Sequence, residues 1–346
     1  MATIIPTKEQ IQYMQAHIDD SLAPSIHISN GILIGAASIS VILRYVARRQ
    51  STGGLGKDDF MLFFSFFLYL VFVAGFSVGT RYGFGKHILA VTDLRAFAII
   101  LLFIYCSYVF AMVGVKLSIL LLYRRIFPTR QFQKRLLGVS AVVMAWFFAA
   151  LFFSIFNCYP ISKSWDPSTS GRCINFGTVT LVIGIANILI DFTLFGLPMP
   201  LLWDLNMSTR KKVLLSSMFA VGCSACVVSI PRLAFARLVA STYDPSWYNV
   251  IPGILSGLEI CTGIVACCAI TYRPLIERLY SLLINSSQDE FLSGPSTGCG
   301  SNNRQGWNKI HVQHDVEPSY RTRQDEQASV DQMTMPMSSP LIISRH

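Results

Sequence analysis

Lys116, Asp191 and Glu259 are ionisable residues inside stretches of this 346-residue chain that are otherwise almost wholly apolar. A lysine and two carboxylates held away from water can pair with one another, relay a proton, or grip a polar group on an apolar ligand. Arg232 is a fourth such charge and completes a candidate buried polar cluster. At 1.5 Å of rise per residue, Lys116 lies about 12 Å from the flanking Arg124, and Asp191 falls at a similar depth. Glu259 falls near the middle of its stretch. These depths let Lys116 pair with Asp191, with Glu259 as second choice. The competing account of Lys116 is snorkelling, in which the long stem carries the ammonium to the interface. Short acidic side chains are less able to do this. Arg232, near the end of its stretch, also suits an interface anchor.

The elements that must position these residues are seven apolar runs, at roughly 27–47, 60–78, 97–122, 136–156, 178–202, 213–235 and 250–270. Each is long enough to cross a bilayer as a helix. Helices are required because lipid offers no partner to open backbone groups. Composition agrees: 52% of residues are apolar, only 14% are charged, and mean hydropathy is +0.49. The expected fold is an all-α membrane protein, a seven-transmembrane helix bundle. The third run is longer than a bilayer needs, so it should tilt or project.

Basic residues set the orientation. The loops 44–59, 124–135 and 203–212 hold 12 Lys and Arg, whereas 79–95, 157–177 and 236–249 hold six. The N-terminus is therefore expected outside and the C-terminus in the cytoplasm. The domain plan is an extracellular segment over 1–26, a membrane domain over 27–275 and a disordered cytoplasmic tail over 276–346. The first span is expected to act as a signal anchor, because residues 1–25 carry Lys8, Glu9, Asp19 and Asp20 and lack a short apolar core. The net charge of +9 follows from these flanking residues and does not indicate a nucleic-acid partner. The location is a membrane, either the plasma membrane or another endomembrane.

Most of the nine cysteines lie in or beside spans and read as small packing residues. Cys158 and Cys173 differ, because both lie in the loop expected outside, where a disulfide is allowed. They are expected to be joined across a turn-rich segment holding Trp165, Asp166, Pro167 and Gly171. The six histidines show no metal-ligand spacing within a span, so no metal is expected. Gly31-x-x-x-Gly35 and Gly253-x-x-x-Gly257 permit close helix approach. Pro231 and Pro252 are expected to kink their helices.

Seven spans raise the question of retinal. A retinal Schiff base needs a lysine in the last span, and residues 250–270 contain none. No cofactor is expected. Span three ends Leu122-Tyr123-Arg124-Arg125, without Asp-Arg-Tyr, and span seven lacks Asn-Pro-x-x-Tyr. Other motifs recur in order: L-G-K-D-D from Leu55, Y-G-F-G-K-H from Tyr82 and K-L-S-I-L-L-L-Y-R-R-I-F from Lys116. C-Y-P-I-S-K-S-W-D-P with G-R-C-I-N, D-F-T-L-F-G-L-P-M-P from Asp191, S-I-P-R-L from Ser229, D-P-S-W from Asp244 and Glu259 complete the set. With these pieces over about residues 30–275, the chain resembles the fungal rhodopsin-domain integral membrane proteins, the satratoxin-cluster-like and Pth-type group. The resemblance implies seven helices, frequent proximity to secondary-metabolite genes and receptor roles for some members. The receptor-like members with an eight-cysteine outer domain differ from this chain, whose N-terminal segment has no cysteine.

Three function classes follow. A receptor would bind a small hydrophobic ligand in the bundle and present its inner loops to a cytoplasmic signalling partner. A membrane enzyme would use the acids and lysine on a hydrophobic metabolite. A transporter would use them as a substrate or proton path, but no internal duplication is visible. Receptor-like sensing is the favoured expectation. In every case the lipid bilayer is a partner.

Overall fold

The computed structural model describes residues 6–50, 54–166, 168–200, 226–239 and 242–269, together with 224, 271 and 272. Helix α1 is Lys8–Ala16, α2 is Ala23–Gln50, α3 is Lys57–Gly79, α4 is Leu94–Ile126 and α5 is Arg130–Ile155. A two-stranded hairpin follows, β1 Cys158–Tyr159 and β2 Arg172–Cys173, antiparallel with Cys158 opposite Cys173. Helix α6 is Phe176–Gly196, and a helical stretch over 226–239 is called α7. A short α8, Pro245–Tyr248, leads into α9, Val250–Ala269.

Among the described residues, six helices are long and apolar enough to cross a membrane. They correspond to six of the seven expected spans. About half of the expected span 213–235 falls outside the described residues, and 226–239 is helical. The expected tail, 276–346, lies outside them entirely. Most of these helices outrun the apolar core read from sequence because their first or last turn is polar. Asp93 caps α4, accepting from the Ala96 N–H at 3.0 Å, and Arg124 and Arg125 occupy its last turn. Both placements suit the helix dipole. At 33 residues, α4 is about 50 Å long, well beyond a 30 Å hydrocarbon core.

Helices α3 and α4 pack most intimately, and α9 closes against α2, α3 and α4. Helix α5 leans on α4, and α6 on α5. Small residues set the close approaches. A Cβ on Gly114 of α4 would lie 2.6 Å from the Ser65 hydroxyl of α3, which donates to the Ala111 carbonyl at 2.8 Å. The Gly253 and Gly257 faces of α9 meet Phe76 and Phe72 of α3. Among the described residues the expected Gly31-x-x-x-Gly35 contact does not form, since neither glycine has a neighbour there within 4 Å of where its Cβ would be. Nor does Pro252 interrupt a helix. It sits in the first turn of α9, where the missing N–H would have had no intrahelical partner.

Candidate functional site

At the centre of the bundle, five side chains form one continuous polar chain. Lys116 of α4 donates to Asp191 of α6 and lies 5.8 Å from the Trp146 ring centroid of α5. One turn before Asp191, Asn187 donates from its amide to Asp191 at 3.3 Å and to Glu259 of α9 at 2.9 Å. Glu259 is also 2.8 Å from the Arg232 guanidinium of α7. It accepts from the Tyr108 hydroxyl of α4 at 2.7 Å and from Ser229 of α7. The Arg232 guanidinium lies 5.3 Å from the Tyr108 ring centroid. All of these polar side chains are buried. Two cations face two acids, so the ionised chain is formally neutral.

The structure thus brings Lys116, Asp191, Glu259 and Arg232 together. Lys116 does not snorkel: it is 1% exposed and pairs inward. Arg232 is not an interface anchor, because its head meets Glu259 inside the bundle. Asn187, Tyr108 and Ser229 complete the site and were not singled out from sequence. The i, i+4 spacing of Asn187 and Asp191 on one helix face was the available signal.

A second buried charge cluster lies at the basic end of the bundle. Arg44 of α2 is fully buried. It donates to Asp59 at 2.7 Å, to Asp58 at 2.8 Å and to the Cys267 carbonyl at 2.7 Å. Arg48, one turn on, reaches Asp58 at 2.7 Å and Asp59 at 3.2 Å. Arg125 of α4 approaches Asp58 at 3.3 Å. Local chemistry explains the meeting. Asp58 and Asp59 occupy the first turn of α3, and Asp59 accepts from the Gly56 N–H at 2.8 Å. Arg44 satisfies a carbonyl in the last turn of α9, which has no helical partner. Carboxylates at a helix start and guanidinia at helix ends both suit the dipole. In the sequence, Arg44 and Arg48 stand out only as orientation charges at the end of a span.

At the opposite end, Cys158 and Cys173 form a disulfide across the hairpin. Nearby motifs interlock. The His87 imidazole Nδ1 is 2.6 Å from Asp244 and its ring stacks on Trp247 at 4.5 Å. The other Asp244 oxygen accepts from the Ile88 N–H at 3.0 Å. The Tyr13 ring of α1 meets His87 edge-on at 6.3 Å. Among the described residues, no three His, Cys, Asp or Glu side chains converge as a metal site requires.

Long apolar helices carrying paired internal charges define a multi-helix membrane protein whose environment is the lipid bilayer. The fungal rhodopsin domain matches residues 43–278, most of the chain. The chain belongs to that family. It is 34% identical over 195 residues to an SAT4 family membrane protein of Emericella nidulans, covering 54% of this chain and 49% of that one. It is 28% identical to satratoxin biosynthesis SC1 cluster protein 4 of Stachybotrys chartarum, covering 53% of this chain and 66% of that one. It is 27% identical to Receptor GIN3 of Arthrobotrys oligospora, covering 56% of this chain and 47% of that one. The chain spans about half the length of the first and third of these relatives. No solved structure matches.

Proposed function

We propose that this chain is a seven-transmembrane receptor-like sensor of a small hydrophobic molecule, with its N-terminus and disulfide hairpin outside and its basic end in the cytosol. One observation carries the reading: the buried chain Lys116–Asp191–Asn187–Glu259–Arg232 joins α4, α6, α7 and α9. Retaining four charges in a membrane core is expensive, and such residues commonly serve function. The Asn187 carbonyl oxygen is buried and has no hydrogen-bond partner among the described residues. A hydroxyl or amine on an otherwise apolar ligand would satisfy it. Receptor GIN3 is named as a receptor, and SC1 cluster protein 4 is named for a biosynthetic cluster, which together suit sensing of a secreted metabolite.

The test compares the encoding strain with its deletion and with an Asn187→Leu replacement. Each is exposed to an organic extract of its own spent medium. The receptor reading expects the early transcriptional response to vanish in both variants while the unstimulated metabolite profile is unchanged. Accumulation of a precursor with an intact response would contradict it and point to an enzyme.

A further inference from the structure

Helix α9 is held at two places. Glu259 is gripped by Tyr108, Asn187, Ser229 and Arg232. Eight residues on, about 12 Å along the axis, Cys267 is gripped by Arg44, through its carbonyl at 2.7 Å and its sulfur at 3.3 Å. The Ser118 hydroxyl lies 3.3 Å from the same sulfur. Helix α4 contributes to both places, with Tyr108 to the first, and Ser118 and Arg125 to the second.

Between the two grips α9 buries Ile260 and Ile264 beside smaller residues, including Gly263, whose Cβ would lie 3.0 Å from Val115 of α4. Both grips bury charge, and a buried charge that loses its partners is strongly disfavoured. Half-broken arrangements are therefore unstable, and a packed element held this way has discrete positions instead of a continuum.

We infer that the arginine–aspartate clasp at the basic end and the central charge chain are two catches of one latch on α9, such that releasing Glu259 opens the clasp. The clasp is graded for opening. Arg44 is dry, the Arg48 side chain is 11% exposed, and the Arg125 side chain is 33% exposed with the longest contact. Water replaces the Arg125 arm first and the Arg44 arm last. Opening uncovers Cys267, which is fully buried when the clasp is shut. The device does not depend on what ligand, if any, acts on the central chain.

The full-length protein in native membranes is treated with N-ethylmaleimide, and modification of each cysteine is followed by mass spectrometry. Glu259→Gln keeps the shape of the side chain but removes its charge. It is expected to speed labelling of Cys267 by about tenfold or more, since labelling follows local opening. Cys106, a free cysteine of α4 in neither grip, should keep its wild-type rate. Arg125→Gln, the mild clasp variant, should speed Cys267 labelling likewise. If Glu259→Gln leaves Cys267 at the wild-type rate, or speeds Cys106 equally, the two catches are not coupled and the inference falls. If Arg125→Gln leaves Cys267 unchanged, the clasp does not guard it and the inference also falls.

Discussion

The amide of Asn187 donates to Glu259 at 2.9 Å across the α6–α9 interface, and its second bond, to Asp191, ties the two buried ion pairs together. Without Asn187, Asp191–Lys116 and Glu259–Arg232 would be separate pairs. Asn187→Ala leaves both acids short of a donor. The expected loss is about 1–3 kcal/mol, read as a fall in apparent Tm of the detergent-solubilised protein. An unchanged Tm would show that the bridge contributes nothing.

Gly56 is required by side-chain crowding at the clasp. A Cβ there would lie 2.5 Å from the Arg125 guanidinium and 2.4 Å from an Asp58 oxygen. Gly56→Ala should push Arg125 off Asp58. The double variant with Arg125→Gln should then lose little more stability than either single, because one contact is lost in each case. Additive losses would show that Gly56 acts elsewhere.

Gly253 lets α9 approach α3. A Cβ would lie 2.5 Å from the tip of the Phe76 ring, which is buried and cannot swing away. Gly253→Ala should cost about 1–3 kcal/mol through overpacking, whereas Gly31→Ala, with nothing within 4 Å among the described residues, should cost nothing or stabilise slightly. Equal Tm shifts in the two variants would contradict this packing.

The Cys158–Cys173 disulfide closes a segment with a sequence separation of 15. In the chain-entropy model it contributes about 3 kcal/mol. Cys158→Ser, Cys173→Ser and the double variant should lose similar stability. Thiol labelling of both residues in the unreduced, denatured protein would refute the bond.

Six of the spans were legible because apolarity over some twenty residues is a property of composition. The Lys116–Asp191 meeting was legible because depth along a helix is simple arithmetic. Arg232 was readable both as a member of the cluster and as an interface anchor, since depth does not show which way a side chain turns. Arg44, Asp58 and Asp59 were unreadable as a buried cluster for another reason. Charges are ordinary at the ends of spans, and their burial depends on Cys267, 223 residues from Arg44. His87, Asp244 and Trp247 were visible only as separate motif pieces, because it takes the folded loops to join them.

The central claim is that buried ion pairs join the helices, and a double-mutant cycle on Lys116 and Asp191 tests it most directly. Lys116→Ala strands a buried carboxylate and should cost about 3–5 kcal/mol. Asp191→Ala should cost a similar amount. Lys116→Ala/Asp191→Ala removes both charges and should be more stable than the sum of the singles by at least about 1 kcal/mol. If the double variant instead loses the full sum, the two residues do not act as a pair and the charge chain is not what joins α4 to α6.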